Sequence, residues 1–308
     1  MGLGAKLNFA FISVILAMAL AQAGFSIGVS YFDAHNQAKR LSESALNAVT
    51  GEIKRIQVRN GEVASELAAD PAFVQALGAK DVGAIKQCIK SLCDRRAFPG
   101  YVSVVIPKGV LYSSDTPGKP LYDPDERLAR LLDSALSSGK LPEAGLERLR
   151  PGWIAPQSQT GNLNLINLAA VSGNSAVIIA GVPIGPEIVV GMQKKIELSG
   201  DKDLAKGFDL AFYSLKDNRV LAMTPSLFKA RTAFLQRVGQ EPYMVEKESD
   251  GRLWRGQQYP NPSDPGREIA RFYVATAVPD VMSKAILLLS QIGVGAGVAI
   301  VLSFLFTA

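Results

Sequence analysis

The sequence is short of the residues from which metal and haem sites are built. Its 308 residues include two cysteines and one histidine, His35. A structural zinc site usually takes four Cys or His ligands, and a haem attachment motif needs paired cysteines beside a histidine. Both kinds of site are therefore nearly excluded, and we expect no cofactor.

Catalytic signatures are missing as well. The sequence has no nucleophile elbow, no zinc-binding histidine pair and no phosphate-binding glycine loop. Its lysines and arginines are scattered, the net charge is +5, and no basic stripe carries interleaved aromatic residues. The sequence therefore predicts neither an enzyme nor a protein that binds nucleic acid.

Charge is absent from two long stretches, one at each end of the chain. The first runs from Leu7 to Phe32 and the second from Ala285 to Ala308. A membrane-spanning helix takes about 20 apolar residues, so each stretch is long enough to cross a bilayer and contact lipid. We expect a bacterial inner-membrane protein with two spans, with residues 33–282 periplasmic or extracellular.

A cleaved signal peptide is the alternative interpretation of the first stretch. Lys6 could be its charged region, and Ala21-Gln22-Ala23 has the small-x-small form of a cleavage site. The apolar run continues to Phe32, however, which makes about 39 Å of helix and exceeds the usual hydrophobic region of about 7–15 residues. This length favours an uncleaved anchor, and the middle of the chain is exported in either case.

A heptad pattern follows the first apolar stretch. It predicts one long helix that ends near Ala69, because a residue before proline disfavours the helical conformation, as at Asp70-Pro71. Two interpretations of the seam stay open: a parallel dimer in which Asn60 sets the register, or a helix lying on its own domain with Asn60 at the rim. The seam residues are Leu46, Val49, Ile53, Ile56, Asn60, Val63 and Leu67.

Glycines in the apolar stretches give a second indication of self-association. Gly293 and Gly297 have the spacing that lets two membrane helices approach closely, and Gly24 and Gly28 repeat it. Glycine is also common in membrane helices, so this pattern alone leaves ordinary membrane composition open. With the heptad seam, it makes a homodimer the expected state.

Two sets of β-rich segments occupy the exported part, each opening with a hairpin. They are separated by a predicted helix over 187–198, and no residue-by-residue alignment of the two sets is evident. The pattern predicts an α+β fold with two mainly antiparallel sheets. The predicted strands are 101–106, 110–114, 163–172 and 176–183, then 208–215, 219–224, 243–246, 253–257 and 268–277, with helices at 71–77, 81–93, 124–137 and 226–239.

This order of elements resembles the double Cache sensor of bacterial receptors. The matching segments are 64–74 for the end of the long helix, 104–114 for the first hairpin, 207–213 with 219–222 for the opening strands of the second module, and 271–275 for its last strand. The resemblance implies two tandem PAS-like modules. The domains are then a span at 1–32, a long helix at 33–70, a membrane-distal module at 71–198, a membrane-proximal module at 199–282 and a span at 283–308.

The resemblance also implies a function. Such modules bind a small molecule outside the cell, usually in the distal module, and pass a helix displacement to a cytoplasmic output domain of the chemotaxis, histidine kinase or nucleotide cyclase type. The sequence ends within or just past the second apolar stretch, so we expect it to be part of a longer receptor. The rival class is a two-span assembly subunit whose exported domain binds another protein, which an exposed apolar patch would favour.

Candidate ligand-binding residues are polar side chains in the distal module. A ligand pocket is mostly apolar and has a few convergent polar groups. Tyr112, Ser114 and Asp115 close the predicted hairpin, Trp153 lies in a long loop, and Asn167 interrupts an apolar strand. The family's amino-acid-binding set of spaced Tyr, Arg, Trp and Asp is represented only by the fragment 150–153.

Cys88 and Cys93 are five residues apart in an exported domain, where a disulfide is permitted. On a continuous helix this offset points the two side chains too far apart for a bridge. The predicted disulfide therefore requires the helix to unwind between them, and two buried thiols are the alternative.

Overall fold

The structure is a computed structural model. It describes residues 3–106, 109–114, 152–154, 164–171, 173, 175–199, 204, 207–214, 219–230, 247–249, 251–261, 264–278 and 280–307. The chain divides into two compact units, one of Met1–Glu43, Glu248–Leu253 and Thr276–Ala308, the other of Ser44–Lys247 and Trp254–Ala275.

Three helices open the chain: α1 (Leu3–Ala69), α2 (Pro71–Ala79) and α3 (Val82–Arg96). The break after Ala69 lies where the proline predicts it. The Asp70 carboxylate accepts hydrogen bonds from the N–H groups of Ala72 and Phe73, so it caps the helix that Pro71 begins. Asp81 caps α3 in the same way through the Ala84 N–H.

The first sheet contains β1 (Tyr101–Ile106), β2 (Gly109–Ser113), β3 (Gly152–Ile154), β4 (Asn164–Ala170) and β5 (Val177–Pro183). Its strand order is β2-β1-β5-β4-β3, and all neighbours are antiparallel. The predicted strands β1, β2, β4 and β5 are confirmed to within two residues at each end, whereas β3 was not predicted. The helix predicted at 124–137 lies outside the described residues.

Helix α4 (Pro186–Glu197) leads to the second sheet, and the last strand leads to helix α5 (Val281–Thr307). The second sheet contains β6 (Asp209–Ser214), β7 (Arg219–Met223), β8 (Lys247–Ser249), β9 (Arg252–Asn261) and β10 (Asp264–Ala277). Its strand order, β7-β6-β10-β9-β8, repeats that of the first sheet. The helix predicted from Ser226 begins as a 3₁₀ helix, Pro225–Ala230, and the strand predicted at 243–246 lies outside the described residues.

The first hairpins of the two sheets match residue by residue. A register shift falls between Val104 and Val105 in β1, and its counterpart falls between Phe212 and Tyr213 in β6. A β-bulge of this kind fixes the local twist of a strand pair. The two halves, which the sequence could not align, are therefore aligned by their hydrogen-bond ladders.

A hydroxyl brace closes each of these hairpins at the same position. The N–H of Val102 donates to the Ser114 hydroxyl (2.8 Å), and the Ser114 N–H donates to the Val102 carbonyl (3.0 Å). Leu210 and Thr224 make the same pair of bonds in the second sheet, at 3.2 and 2.9 Å. Ser114 and Thr224 therefore occupy equivalent positions.

The unit that contains both chain ends includes the apolar helical segments. Among the described residues, α1 is long and apolar enough to cross a membrane, whereas the apolar segment Ala285–Gly295 of α5 is shorter than that length. Within this unit the buried Thr276 hydroxyl donates to the Ala38 carbonyl (3.2 Å). A Cβ added at Gly293 or Gly297 would meet no described atom within 4 Å. Contact between membrane helices at these glycines stays a prediction.

Candidate ligand-binding site

The two faces of the first sheet have different neighbours. Val102 and Val104 of β1, with Ile178, Ala180 and Val182 of β5, pack with α1, α2 and α3 in one core, and we call this the helix-packed face. Successive residues of a strand point to opposite sides, so Ser103, Val105, Ile179 and Gly181 lie on the other side, the far face. All four far-face residues are buried.

The two sheets carry different side chains on this face. The paired strands place Ser103, Val105, Ile179 and Gly181 at the positions of Ala211, Tyr213, Tyr273 and Ala275. In the second sheet, the two tyrosines pack in a core with Trp254, Met223 and Leu227. Valine and isoleucine therefore stand where the second sheet has two phenol rings, while Tyr101, paired with Gly181, stands where the second sheet has Asp209, paired with Ala275.

Two residues with hydroxyl groups, Tyr101 and Ser103, lie on the far face beside Val105 and Ile179. The Tyr101 ring lies across Gly181, because a Cβ added at Gly181 would be 2.5 Å from Tyr101 Cζ and 2.6 Å from its hydroxyl. The Ser103 side chain is fully buried. Neither residue was predicted as a ligand-binding residue, because β1 is buried on both faces and its apolar pattern shows no alternation that would distinguish them.

The predicted ligand residues of the hairpin have other neighbours. Tyr112 belongs to the helix-packed core, where burial, together with the nearby Cys93, raises the pKa of its hydroxyl. Ser114 forms the hydroxyl brace with Val102. Asp115 lies outside the described residues. Neither Tyr112 nor Ser114 is therefore brought together with Tyr101 on the far face, and their ligand contact stays a prediction.

The two remaining candidates lie in neighbouring strands. Trp153 is in β3 and pairs with Leu165 of β4. Asn167 pairs with Ala180, a residue of the helix-packed face, and its side-chain amide donates to the Gln57 carbonyl of α1 (3.1 Å). The structure thus gives Asn167 a role in holding α1 against β4.

The packing of α1 corrects the dimer assignment of its heptad seam. Val49, Ile53, Asn60, Val63 and Leu67 are buried within the chain, while Leu46 and Ile56 are half-buried. This surface is therefore not available to a partner helix, and the helix lies on its own domain. An apolar stripe of this period has the same sequence pattern in both arrangements, which is why the sequence left them open.

Asn60 differs from both sequence-based interpretations. It is fully buried rather than at a rim, and its Nδ2 donates to the Leu165 carbonyl of β4 (2.7 Å). Gly61 lies at the same contact, where an added Cβ would be 2.6 Å from Asn167 Nδ2 and would force that amide to shift. Asn60, Gly61 and Asn167 together fix the position of α1 along the strand.

A charge cluster joins α1 to α4. The Glu52 carboxylate accepts hydrogen bonds from Arg55 (2.6 and 2.7 Å) and from Lys195 of α4 (3.1 Å). Burial opposes ionisation of Glu52, but the bonds from Arg55 and Lys195 outweigh it and lower its pKa. Glu52 is therefore held as a carboxylate between the two helices.

Cys88 and Cys93 are free thiols in this structure, so the predicted disulfide is absent from it. The reason is geometric: α3 runs uninterrupted from Val82 to Arg96, without the unwinding that a bridge would need. Burial raises the pKa of both thiols, helped by Asp70 at Cys88 and by Asp94 at Cys93. Neither thiol is activated as a nucleophile.

Comparison with known proteins gives likenesses of fold alone. No family model matches the sequence, and no curated protein matches it. Among solved structures, the periplasmic domain of Vibrio cholerae LuxQ is 10% identical, with 78% of this chain and 98% of that chain covered and a TM-score of 0.42. The sensory domain of the Campylobacter jejuni chemoreceptor Tlp3 is 11% identical, with 84% of this chain and 99% of that chain covered and a TM-score of 0.44.

A third structure is the ligand-binding domain of the Pseudomonas aeruginosa amino acid chemoreceptor PctB in complex with L-Arg. It is 14% identical, with 88% of this chain and 97% of that chain covered and a TM-score of 0.35. Because identities and TM-scores are low, none of these structures assigns a residue of this chain. Tlp3 and PctB are described as chemoreceptors, and the regions compared are their sensory and ligand-binding domains.

Proposed function

We propose that this chain is the ligand-sensing region of a bacterial transmembrane receptor, with its small-molecule site on the far face of the first sheet. The observation that carries the proposal is the difference between the two sheets. Tyr213 and Tyr273 fill the far face of the second sheet, and Val105 and Ile179 stand at the equivalent positions of the first. The first sheet can hold a ligand where the second holds its own aromatic core.

The residues of the far face indicate the kind of ligand. Val105 and Ile179 supply apolar surface, while Tyr101 and Ser103 supply hydroxyl groups. This combination suits a small amphipathic molecule, which needs an apolar wall and a few placed polar groups. Amino acids come first in a ligand panel, because Tlp3 is described with isoleucine or L-valine bound and PctB with L-Arg.

The signal would travel through α4. This helix begins directly after β5, is bonded to Glu52 of α1 through Lys195, and reaches the second sheet through the hydrogen bond from Gln193 to the Phe208 carbonyl. Helix α5 follows β10 as α4 follows β5. A ligand that prefers one position of β5 would shift α4, and the shift would pass through the second sheet to α5 as the second membrane span.

A substitution that copies the second sheet tests the site. In Val105→Tyr the phenol ring should occupy the far face, as Tyr213 does in its own sheet, and should abolish ligand binding. The matched control is Val82→Tyr, the same change at an exposed position at the start of α3. The measurement is the ligand-dependent rise in melting temperature of the full chain in detergent, across amino acids, organic acids, polyamines and purines.

Loss of the ligand-dependent rise in Val105→Tyr alone would support the far-face site. An equal rise in both variants would place the ligand elsewhere and contradict the proposal. If no compound in the panel raises the melting temperature of the wild type, the sensor proposal fails for these ligand classes. That result would favour the rival role, a two-span assembly subunit that binds another protein.

A further inference from the structure

We propose that the chain has a second small-molecule site, in the cleft between α1, α4 and β5, which takes a small apolar molecule carrying one hydrogen-bond donor. The cleft has a volume of about 200 Å³. It lies on the helix-packed side of the first sheet, since Val182 is one of its walls. It is therefore separate from the far-face site proposed above.

The lining is arranged as an apolar interior with a charged rim. The interior side chains are Ile56, Phe98, Val182, Ile188 and Met192. At the rim, Arg55 and Lys195 are half exposed and are bonded to Glu52. One carboxylate therefore faces two cations at the rim, but an ion placed among the apolar interior side chains would lose its hydration, so the interior suits an uncharged apolar ligand.

One buried polar group gives the cleft its specificity. Asn60 lines the cleft and is 0% exposed. Its Nδ2 donates to the Leu165 carbonyl, but its Oδ1 accepts no hydrogen bond from any described residue. A buried acceptor left unsatisfied is costly, so a ligand that brings one donor to Oδ1 gains more than its apolar contacts alone would provide.

The size of the cleft selects small ring molecules. An apolar cavity of about 150 Å³ holds one benzene molecule, so about 200 Å³ suits a single ring with one substituent. Phenol suits both features, since its ring matches the apolar interior and its hydroxyl would donate to Asn60 Oδ1 once the side chains that cover this atom shift on binding. A molecule bound here would touch α1 and α4 together, the two helices that the Glu52–Lys195 ion pair already joins.

The test uses two probes of nearly equal shape, 4-fluorophenol and 4-fluorotoluene, of which only the first carries a donor. Binding to the full chain in lipid nanodiscs is followed by fluorine NMR, with empty nanodiscs subtracted. A filling variant, Gly191→Phe, places a ring in the cleft, and an added Cβ at Gly191 meets no described atom within 4 Å. Gly78→Phe is the matched control, at an exposed α2 glycine with equally open surroundings.

We expect saturable binding of 4-fluorophenol to the wild type and to Gly78→Phe, at least tenfold weaker binding to Gly191→Phe, and about tenfold weaker binding of 4-fluorotoluene to the wild type. If Gly191→Phe binds 4-fluorophenol as tightly as the wild type does, the cleft is not the site. Absence of saturable binding to the wild type would overturn the proposal in the same way. Equal affinity of the two probes would overturn the role of Asn60. None of these outcomes depends on the far-face site, which neither glycine touches.

Discussion

At the scale of single residues, the position of α1 against the first sheet depends on a few buried amides. Asn60 and Asn167 bond in opposite directions across the same contact, one from helix to strand and one from strand to helix. Each bond ends on a backbone carbonyl, whose position is fixed by secondary structure. Sliding α1 along β4 therefore requires both bonds to break together.

Replacement of Asn60 by alanine should lower the free energy of unfolding by about 1–3 kcal/mol, because a buried hydrogen bond is lost and the Leu165 carbonyl loses its side-chain donor. Urea unfolding of the full chain in detergent measures the change. Glu62→Ala, at an exposed position of the same helix, is the control and should stay within about 0.5 kcal/mol of the wild type. Equal stability of the two variants would contradict this role of Asn60.

At the scale of secondary-structure elements, α4 is held to α1 by the Glu52 cluster, and this contact should depend on pH. The pKa of Glu52 in the folded chain lies below its ordinary value of 4.5. Its contribution to stability is therefore fully present above about pH 4.5 and is lost as the pH falls through the folded-state pKa.

The measurement is the melting temperature of the wild type and of Glu52→Gln between pH 3 and 7, with the difference between the two proteins plotted against pH. We expect the wild type to be the more stable protein near neutral pH and the difference to shrink in acid. A difference that stays constant across this range would show that ionisation of Glu52 does not hold the two helices together.

Turn and cap residues made most of the elements predictable from sequence. Asp70-Pro71 ended α1, and Pro107-Lys108-Gly109 separated the strands of the first hairpin to within one residue of the observed bounds. Strand β3 was missed because it begins at the glycine of a Pro-Gly pair, which usually marks a turn, and its three residues are too few to show a period. Local signals of this kind fix where elements begin and end.

The candidate site was less predictable than the fold, because it depends on which face of a strand meets which neighbour. Alternation along a strand places Ser103 and Val104 on opposite faces of the sheet. Because β1 is buried on both faces, however, nothing in its sequence identifies Ser103 rather than Val104 as the residue that faces away from the helices. The heptad seam of α1 was ambiguous for the same reason, because its apolar stripe could pack either on its own domain or against a partner helix. Both questions concern long-range contacts, which local patterns do not contain.

At the scale of the whole molecule, the proposed two-span arrangement can be tested by labelling. In a background with Cys88 and Cys93 replaced by serine, a cysteine at the exposed Ser65 should react with a membrane-impermeant maleimide in intact spheroplasts. A cysteine added after Ala308 should react only after the membrane is permeabilised, because both chain ends are expected in the cytoplasm. Reaction of both positions in intact spheroplasts would contradict two spans.

The matching hairpins make the two sheets exchangeable parts. Residues 101–114 and 209–224 share a bulge between equivalent residues and end in the same pair of hydroxyl-assisted bonds, so their strands have the same register although their side chains differ. A graft of one segment in place of the other would keep strand twist and register. Such chimaeras would move the proposed far-face site from one half of the chain to the other.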